Sequence, residues 1–332
     1  MAGRIVTVLT GVVTLVAVCP AAPARAAGSR PVEAGTARRA APVQARVAGA
    51  RTGIRAAGGR PVRARAVAAG RGAPAGWRPV VMVAVGDSIS SGFNACGWYV
   101  PCPARSWATG DDERVRSHYL RLLGGGAPVA GHGVNLAVPG ATSADLARQM
   151  AGAVARRADY VTVLVGAQDA CVADERQMTP VDVYRRRVAG ALETLRAGRP
   201  DARVFLASVP DLRRLWQVGR NSVAARAFWA VGRICPSMLA RPRSTAPADR
   251  ERRDRVRARV SGYNSALAQV CAAYGPACRF DGNALFGCRF TRDQLSKWDF
   301  FHPSASGQRL IAQLTFPLIE DWLREPAGER VT

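Results

Sequence analysis

The chain has 332 residues, a formal net charge of +23 at pH 7 and eight cysteines. Nearly all of the positive charge is arginine, which a GC-rich genome favours by itself, and aromatic and basic side chains do not interleave as they do on base-stacking surfaces. The charge therefore does not indicate a nucleic-acid partner, and we expect none.

The first residues have the pattern of a secretory signal peptide. Arg4 precedes the apolar stretch 5–18, and Ala24 and Ala26 place small residues on both sides of a variable position. A transmembrane anchor is the weaker alternative, because the apolar run is too short to cross roughly 30 Å of hydrocarbon. We expect residues 1–26 to be removed and the mature protein to be extracellular, either free or associated with the cell wall.

A biased segment follows, over residues 27–76. It consists almost entirely of Ala, Arg, Gly, Pro and Val, with Glu33 as its only acidic residue and no aromatic ring. Such a composition cannot bury enough apolar surface to offset chain entropy, so it predicts a disordered basic linker. Its cationic side chains favour weak adhesion to anionic envelope polymers or lipid head groups.

The remaining chain alternates between apolar runs and helical patterns. Four short runs predict buried strands, at Val80–Val85, Val134–Val138, Tyr160–Val165 and Val204–Val209. Helices are predicted at Glu113–Leu123, Ser143–Arg157, Val181–Arg196, Ala246–Ala273 and Ser304–Trp322. The alternation predicts parallel pairing through right-handed crossovers, hence one α/β domain over residues 77–325, a three-layer α/β/α sandwich, followed by a short tail at 326–332.

Polar or glycine-containing segments follow the first three predicted strands. They contain Ser88 in Gly-Asp-Ser, Gly140 in Pro-Gly-Ala-Thr, and Gln168 in Gly-Ala-Gln-Asp. In parallel sheets, ligands bind outside the carboxyl ends of the strands. We therefore expect Ser88 to lie beside backbone amides near Gly140 and the side-chain amide of Gln168.

A serine nucleophile needs a base, and the chain has only three histidines. His118 lies in a helical pattern and His132 between two glycines, whereas His302 follows Asp299 by three residues. That spacing lets the Asp299 carboxylate hold the ring nitrogen that faces away from the serine. The alternatives are a helix-cap turn at Ser88 and an ordinary surface pair at Asp299 and His302.

Three sequence blocks resemble those of the SGNH, or GDSL-type, hydrolases. They are 86–88, the segment 135–140, and 299–302. The resemblance implies a flavodoxin-like sandwich and ester hydrolysis, with Ser88 as nucleophile and Asp299 and His302 as its partners. It further implies that backbone amides of Ser88 and Gly140 form an oxyanion hole. The chain differs from the α/β-hydrolase elbow, which needs Gly-x-Ser-x-Gly.

The third family block departs from its pattern at Gln168, where the family carries asparagine as the side-chain oxyanion donor. Glutamine offers the same amide on a stem longer by about 1.5 Å. If Gln168 cannot reach the oxyanion, turnover falls by about 100- to 1000-fold. A weakened hydrolase-like protein that binds cell wall or carbohydrate is therefore the rival hypothesis. We expect Asp169 to brace this loop.

Seven cysteines remain after residue 26, and secretion favours disulfides. Two pairs bracket short loops and can close locally. A third, long-range pair would leave Cys288 unpaired. The pairs that this favours are Cys96 with Cys102, Cys271 with Cys278, and Cys171 with Cys235, although the sequence does not fix the connectivity. Zinc is the alternative, although no close Cys-x-x-Cys pair is present.

The substrate stays open at this stage, among small-molecule, lipid and acylated glycan esters. We expect a monomeric enzyme that needs neither a metal nor an organic cofactor. Residues 212–244 depart furthest from a simple strand and helix pattern, which suggests a lid or a substrate wall there.

Overall fold

A parallel β-sheet lies at the centre of the fold. A computed structural model describes residues 79–122 and 131–324. Within them, five strands pair in the order β2-β1-β3-β4-β5, all parallel. Their bounds are β1 Met82–Gly86, β2 Gly133–Asn135, β3 Tyr160–Leu164, β4 Arg203–Leu206 and β5 Cys278–Phe280. This is the flavodoxin-like strand order, and it confirms the predicted fold class.

Burial explains which strands the sequence reveals. Every residue of β1, β3 and β4 is buried, so these strands appear as continuous apolar runs. The two edge strands, β2 and β5, are only partly buried. β5 is three residues long with Arg279 at its centre, and no apolar run marks it. The apolar pattern therefore does not predict β5.

Helices cover the sheet. Their bounds are α1 His118–Leu122, α2 Leu146–Ala155, α3 Ala167–Ala170, α4 Val181–Gly198, α5 Leu212–Gly219, α6 Val223–Val231, α7 Pro236–Leu239, α8 Pro247–Tyr274, α9 Ala284–Gly287, α10 Ala305–Thr315 and α11 Pro317–Arg324. In one group, α4 packs against both α2 and α8. In another, α10 packs against α11, and His118 of α1 bonds Thr315 of α10 at 2.8 Å. The two groups and the sheet make up the three predicted layers.

Two predicted helices differ from the structure. The first begins at His118 rather than Glu113, because Arg116 adopts a left-handed conformation with φ 51° that interrupts a helix. The last is two helices, α10 and α11, because Pro317 has no N–H with which to continue α10.

Three disulfides join the pairs expected from the spacing. They are Cys96–Cys102, Cys171–Cys235 and Cys271–Cys278. Cys288 is also disulfide-bonded, so the expectation that it stays unpaired is wrong.

Three predicted segments lie outside the described residues, namely the signal peptide 1–26, the linker 27–76 and the tail 326–332. They remain predictions. Across the described ranges, no helix combines the length and the apolar character that crossing a membrane requires.

Candidate active site

Ser88 lies in the turn that follows β1, where the backbone requires a glycine. Gly86 has φ 130°, and a Cβ at this position would lie 1.9 Å from the Leu164 carbonyl oxygen of the neighbouring strand β3. The next peptide returns to the same strand, because the Asp87 N–H donates to the Leu164 carbonyl at 3.1 Å. The Ser88 hydroxyl therefore starts from a backbone that the sheet holds in place.

Gln149 of α2 fixes the peptide groups of Gly86 from the helical side. The Gly86 N–H donates to Gln149 Oε1 at 2.6 Å, and Gln149 Nε2 donates to the Gly86 carbonyl at 3.0 Å. Gln149 is buried, so both hydrogen bonds form away from water. The start of the Ser88 turn is thus held by a side chain 63 residues away along the chain.

Ser88, His302 and Asp299 form one hydrogen-bonded chain. His302 Nε2 lies 2.8 Å from Ser88 Oγ, and His302 Nδ1 lies 2.6 Å from Asp299 Oδ2. Nδ1 faces a carboxylate, which can only accept, so Nδ1 carries the ring proton and Nε2 is left to accept the Ser88 hydroxyl proton. This is the arrangement in which a serine hydroxyl can be deprotonated.

A closed loop presents Asp299 and His302 together. Leu295 and Pro303 form an antiparallel bridge, and the Ser296 N–H donates to the His302 carbonyl at 2.7 Å. Within the loop, Asp299 Oδ1 accepts from the N–H groups of Phe301 at 2.9 Å and His302 at 3.0 Å. One carboxylate oxygen therefore shapes the loop and the other holds the ring.

The Asp299 carboxylate stays ionised. Burial acts to raise its pKa, but the hydrogen bond and charge of His302, together with the two backbone N–H groups, outweigh that effect and lower the pKa. The side chain is 4% exposed. A buried negative charge against Nδ1 stabilises the imidazolium that forms when His302 takes a proton.

Two backbone N–H groups that the sequence places in an oxyanion hole have no hydrogen-bond acceptor in the described part of the chain. Among the described residues, neither the Ser88 nor the Gly140 N–H donates to a protein group. The Gly140 loop is tied to α3 by Asp169, which accepts from the Ser143 N–H at 2.8 Å and from the Ser143 hydroxyl at 2.6 Å. Asp169 therefore ties the loop after β2 to the segment after β3.

Gln168 lies in α3, directly after β3. Its side chain is exposed, and its amide makes no hydrogen bond with any residue in the described ranges. Its place as the third oxyanion donor remains a prediction, as do the catalytic roles of Ser88, His302, Asp299 and Gly140.

Asp87 is a second buried carboxyl beside the nucleophile. Burial raises its pKa to about 7, against which the Ile89 N–H and the His302 charge act. Its Oδ1 accepts from the Ile89 N–H at 3.0 Å, whereas its Oδ2 has no hydrogen-bond partner among the described atoms. The Asp87 carboxyl therefore changes between its protonated and ionised forms close to neutral pH.

Another histidine, His118, plays a packing role. It is fully buried, bonds Thr315 and Tyr160, and burial lowers its pKa to about 3. In the described parts of the chain, no three His, Cys, Asp or Glu side chains cluster closely enough to hold a metal ion. The expectation of metal-free and cofactor-free hydrolysis stays a prediction.

Residues 212–244, the predicted lid or substrate wall, pack into the core. They contribute α5, α6 and α7, and Trp216 and Trp229 from this segment are buried in the core. The Trp229 indole N–H donates to the Asp299 carbonyl at 3.0 Å. Deleting the segment would uncover the core and remove a support of the Asp299 loop.

The sequence does not predict the contacts that three residues, Asn94, Gln149 and Trp229, make at this site. Each acts on a partner at least 63 positions away, so no local spacing marks it.

Comparison with known proteins agrees with the sequence blocks. The model of the GDSL-like Lipase/Acylhydrolase family matches residues 84–310. That range begins in β1, ends in α10 and contains Ser88, Asp299 and His302. No curated protein has a significant match to this sequence.

Several solved structures are similar to this chain. Phospholipase A1 from Streptomyces albidoflavus NA297 is 18% identical, with a TM-score of 0.44, and the match covers 74% of this chain and 99% of that protein. A family 3 carbohydrate esterase of Clostridium thermocellum is 16% identical, with coverage of 75% and 99% and a TM-score of 0.44. An extracellular lipase from Streptomyces rimosus is 16% identical, with coverage of 73% and 99% and a TM-score of 0.42.

Proposed function

Because the chain belongs to the GDSL-like lipase/acylhydrolase family and is an ester-bond hydrolase, we propose that it cleaves carboxylic esters through an acyl-enzyme on Ser88. The observation that carries the proposal is the hydrogen-bonded chain from Ser88 Oγ through His302 to Asp299, at 2.8 and 2.6 Å. A turn or cap serine would need no such partner.

The first half-reaction forms the acyl-enzyme. His302 Nε2 takes the Ser88 proton as Oγ bonds to the ester carbonyl carbon, and the carbonyl oxygen becomes an oxyanion. The carbon–oxygen bond to the alcohol then breaks, and the imidazolium returns the proton to the leaving alkoxide. Asp299 holds the ring during both transfers and balances its charge.

The second half-reaction repeats these steps with water. His302 takes a proton from water as the hydroxide adds to the acyl carbon, and Ser88 Oγ leaves with that proton to give the free acid. The N–H groups of Ser88 and Gly140 donate to the oxyanion in both halves. Gln168 supplies a third donor if its longer side chain turns inward.

Ester substrates of small molecules or lipids follow from the family, and side chains near His302 favour an apolar acyl group. Phe93 packs edge-on against the His302 ring with centroids 4.9 Å apart, and Tyr99 packs against Phe93 at 5.5 Å. Trp98 and Tyr99 are 61% and 68% exposed. These rings offer apolar contact area beside the nucleophile.

Secretion is part of the proposal. Its support is the signal-like pattern at 1–26 and the three disulfides, because such bonds persist mainly in oxidising compartments.

Turnover of p-nitrophenyl esters of increasing acyl length tests the proposed function. We expect hydrolysis by the native protein and loss of at least about 1000-fold in Ser88→Ala. The matched control is Ser106→Ala, since the Ser106 hydroxyl donates to the Ser90 carbonyl and does not bond His302. Equal activity in native protein and Ser88→Ala would contradict the proposal. No activity on any ester would favour the rival, a hydrolase-like binding protein.

A further inference from the structure

The side chain of Asn94 caps the carboxylate that holds His302. Asn94 Nδ2 donates to Asp299 Oδ2 at 2.5 Å, and the same oxygen accepts from His302 Nδ1 at 2.6 Å. Asn94 is 3% exposed and Asp299 is 4% exposed, so water does not compete for this oxygen. The hydrogen-bonded chain from Ser88 therefore continues one residue beyond Asp299.

The orientation of the Asn94 amide is fixed by its second partner. Asn94 Oδ1 accepts from the Tyr99 N–H at 2.6 Å, so the NH₂ group must face Asp299. The Asn94 backbone is held as well, because its N–H donates to the Val100 carbonyl and its carbonyl accepts from the Ser296 hydroxyl at 3.1 Å. The side chain thus reaches Asp299 from a pinned loop.

The local backbone suits asparagine and is closed by a disulfide. Asn94 has φ 61°, a left-handed conformation that asparagine and glycine adopt more readily than other residues. Cys96 and Cys102 are bonded just beyond it, which closes the loop that carries the Tyr99 and Val100 contacts. Asn94 is therefore presented by a short covalently closed segment.

Among the titratable side chains that the structure describes, His302 is the one that bonds the Asp299 carboxylate. Asp87 interacts with the His302 charge from the turn after β1. The Arg105 guanidinium donates to the Ala95 carbonyl and is paired with Asp112 at 2.8 Å. Other charged side chains near the loop have partners elsewhere. The Arg292 and Lys297 cations lie over the Phe300 and Trp298 rings, and Arg226 donates to the Arg220 carbonyl. Asp293 lines the open cleft.

We propose that Asn94 is a positioning residue of this hydrolase, whose NH₂ group fixes the Asp299 carboxylate in its ionised form toward His302 Nδ1. The inference rests on the proposed function and adds a residue that no sequence block contains. It distinguishes the donor role of Nδ2 from the loop-anchoring role of Oδ1, and the two can be tested separately.

Asn94→Asp changes the donor and keeps the shape. An aspartate retains an oxygen for the Tyr99 N–H but places a second carboxyl group against Asp299. While the pair holds a proton, its O–H replaces the missing N–H; as pH rises and that proton leaves, two buried like charges face each other. We expect the ratio of variant to native kcat/KM to fall at least about tenfold between about pH 6 and pH 9.

Asn94→Gly removes the side chain and accepts the positive φ. We expect kcat to fall about 10- to 100-fold at every pH, because a charge-assisted hydrogen bond to Asp299 is lost. The matched controls are Asn264→Asp, a buried asparagine that bonds only the Val209 backbone, and Asn283→Gly, an exposed asparagine with φ 69°. The ratio of Asn264→Asp to native kcat/KM should not change with pH, and Asn283→Gly should keep kcat close to native.

An NMR titration of the histidine ring protons gives a readout that needs no turnover. The chain has three histidines, and burial lowers the pKa of His118 to about 3, so the His118 ring signals should stay constant near neutral pH. In Asn94→Asp the pH dependence of the His302 ring-proton shifts should differ from that of the native protein, and in Asn264→Asp it should match the native one.

A pH-independent ratio and a native-like pH dependence of the His302 ring-proton shifts in Asn94→Asp would overturn the proposal. That result is separable from failure of the proposed function. If Ser88→Ala retained full activity, the acyl-enzyme would be refuted, while the NMR titration would still decide whether Asn94 controls the Asp299–His302 pair.

Discussion

Replacing Asp299 by asparagine separates the charge of this side chain from its shape. The amide oxygen of the Asp299→Asn side chain can still accept from the Phe301 and His302 N–H groups, as Oδ1 of Asp299 does. The amide NH₂ group then stands where Oδ2 now accepts from His302 Nδ1 and Asn94 Nδ2. The new NH₂ group would then face two other donors, His302 Nδ1 and Asn94 Nδ2. The His302 ring can remove its part of this clash only with an unprotonated Nδ1.

The consequence is the wrong histidine tautomer. With Nδ1 as acceptor, the proton moves to Nε2, which lies 2.8 Å from Ser88 Oγ and can no longer accept its proton. In a serine, histidine and aspartate triad on another fold, the same change lowers kcat about 10,000-fold. We expect Asp299→Asn to lower kcat by about 1000- to 10,000-fold, or about 4 to 5 kcal/mol of activation free energy.

The assay is kcat and KM for a short-chain p-nitrophenyl ester near pH 7.5. The matched control is Asp281→Asn, because Asp281 is also buried and also accepts from a hydroxyl and from backbone N–H groups. Asp281→Asn should leave kcat within a few fold of native. A folded Asp299→Asn protein with kcat within tenfold of native would refute the assigned role of Asp299.

Three further predictions concern the loop after β3, the carboxyl beside the nucleophile and the long-range disulfide. Gln168→Ala should lower kcat by about 100-fold or more with little change in KM, and a fall of less than tenfold would remove Gln168 from the oxyanion hole. Burial raises the pKa of Asp87 from 3.8 to about 7, so folding favours its neutral form and the native protein loses stability as pH rises through that interval. In urea unfolding, Asp87→Asn should therefore gain stability relative to native between about pH 4 and pH 7, and a pH-independent difference would contradict this account. Replacing Cys171 and Cys235 together by serine should lower the free energy of unfolding by about 4 kcal/mol, because their bond spans 64 residues; a loss below about 1 kcal/mol would show that it does not constrain the unfolded chain.

Local patterns were sufficient for much of the fold. Buried strands such as β1 and β3 carry continuous apolar runs, and α4 and α8 were predicted within a few residues of their observed bounds. The edge strand β5 was not predictable, because it is short and half-solvated. The break at Pro317 could have been predicted from the proline alone.

The site also contains contacts that local spacing predicts and contacts that it does not. Asp299 and His302 are three residues apart, so their pairing follows from local spacing. Asn94 lies 205 residues from Asp299, and Gln149 lies 63 from Gly86; only the folded sheet brings these partners together. The role of Gln168 stays a prediction, because its amide is exposed and no described residue bonds it and fixes its position.

Mass spectrometry of the protein quenched during hydrolysis of p-nitrophenyl acetate tests the central claim most directly. We predict one acetyl group on the tryptic peptide that contains Ser88, accumulating in native protein and absent in Ser88→Ala. Acylation at another residue that accounts for turnover and survives Ser88→Ala would contradict the acyl-enzyme on Ser88.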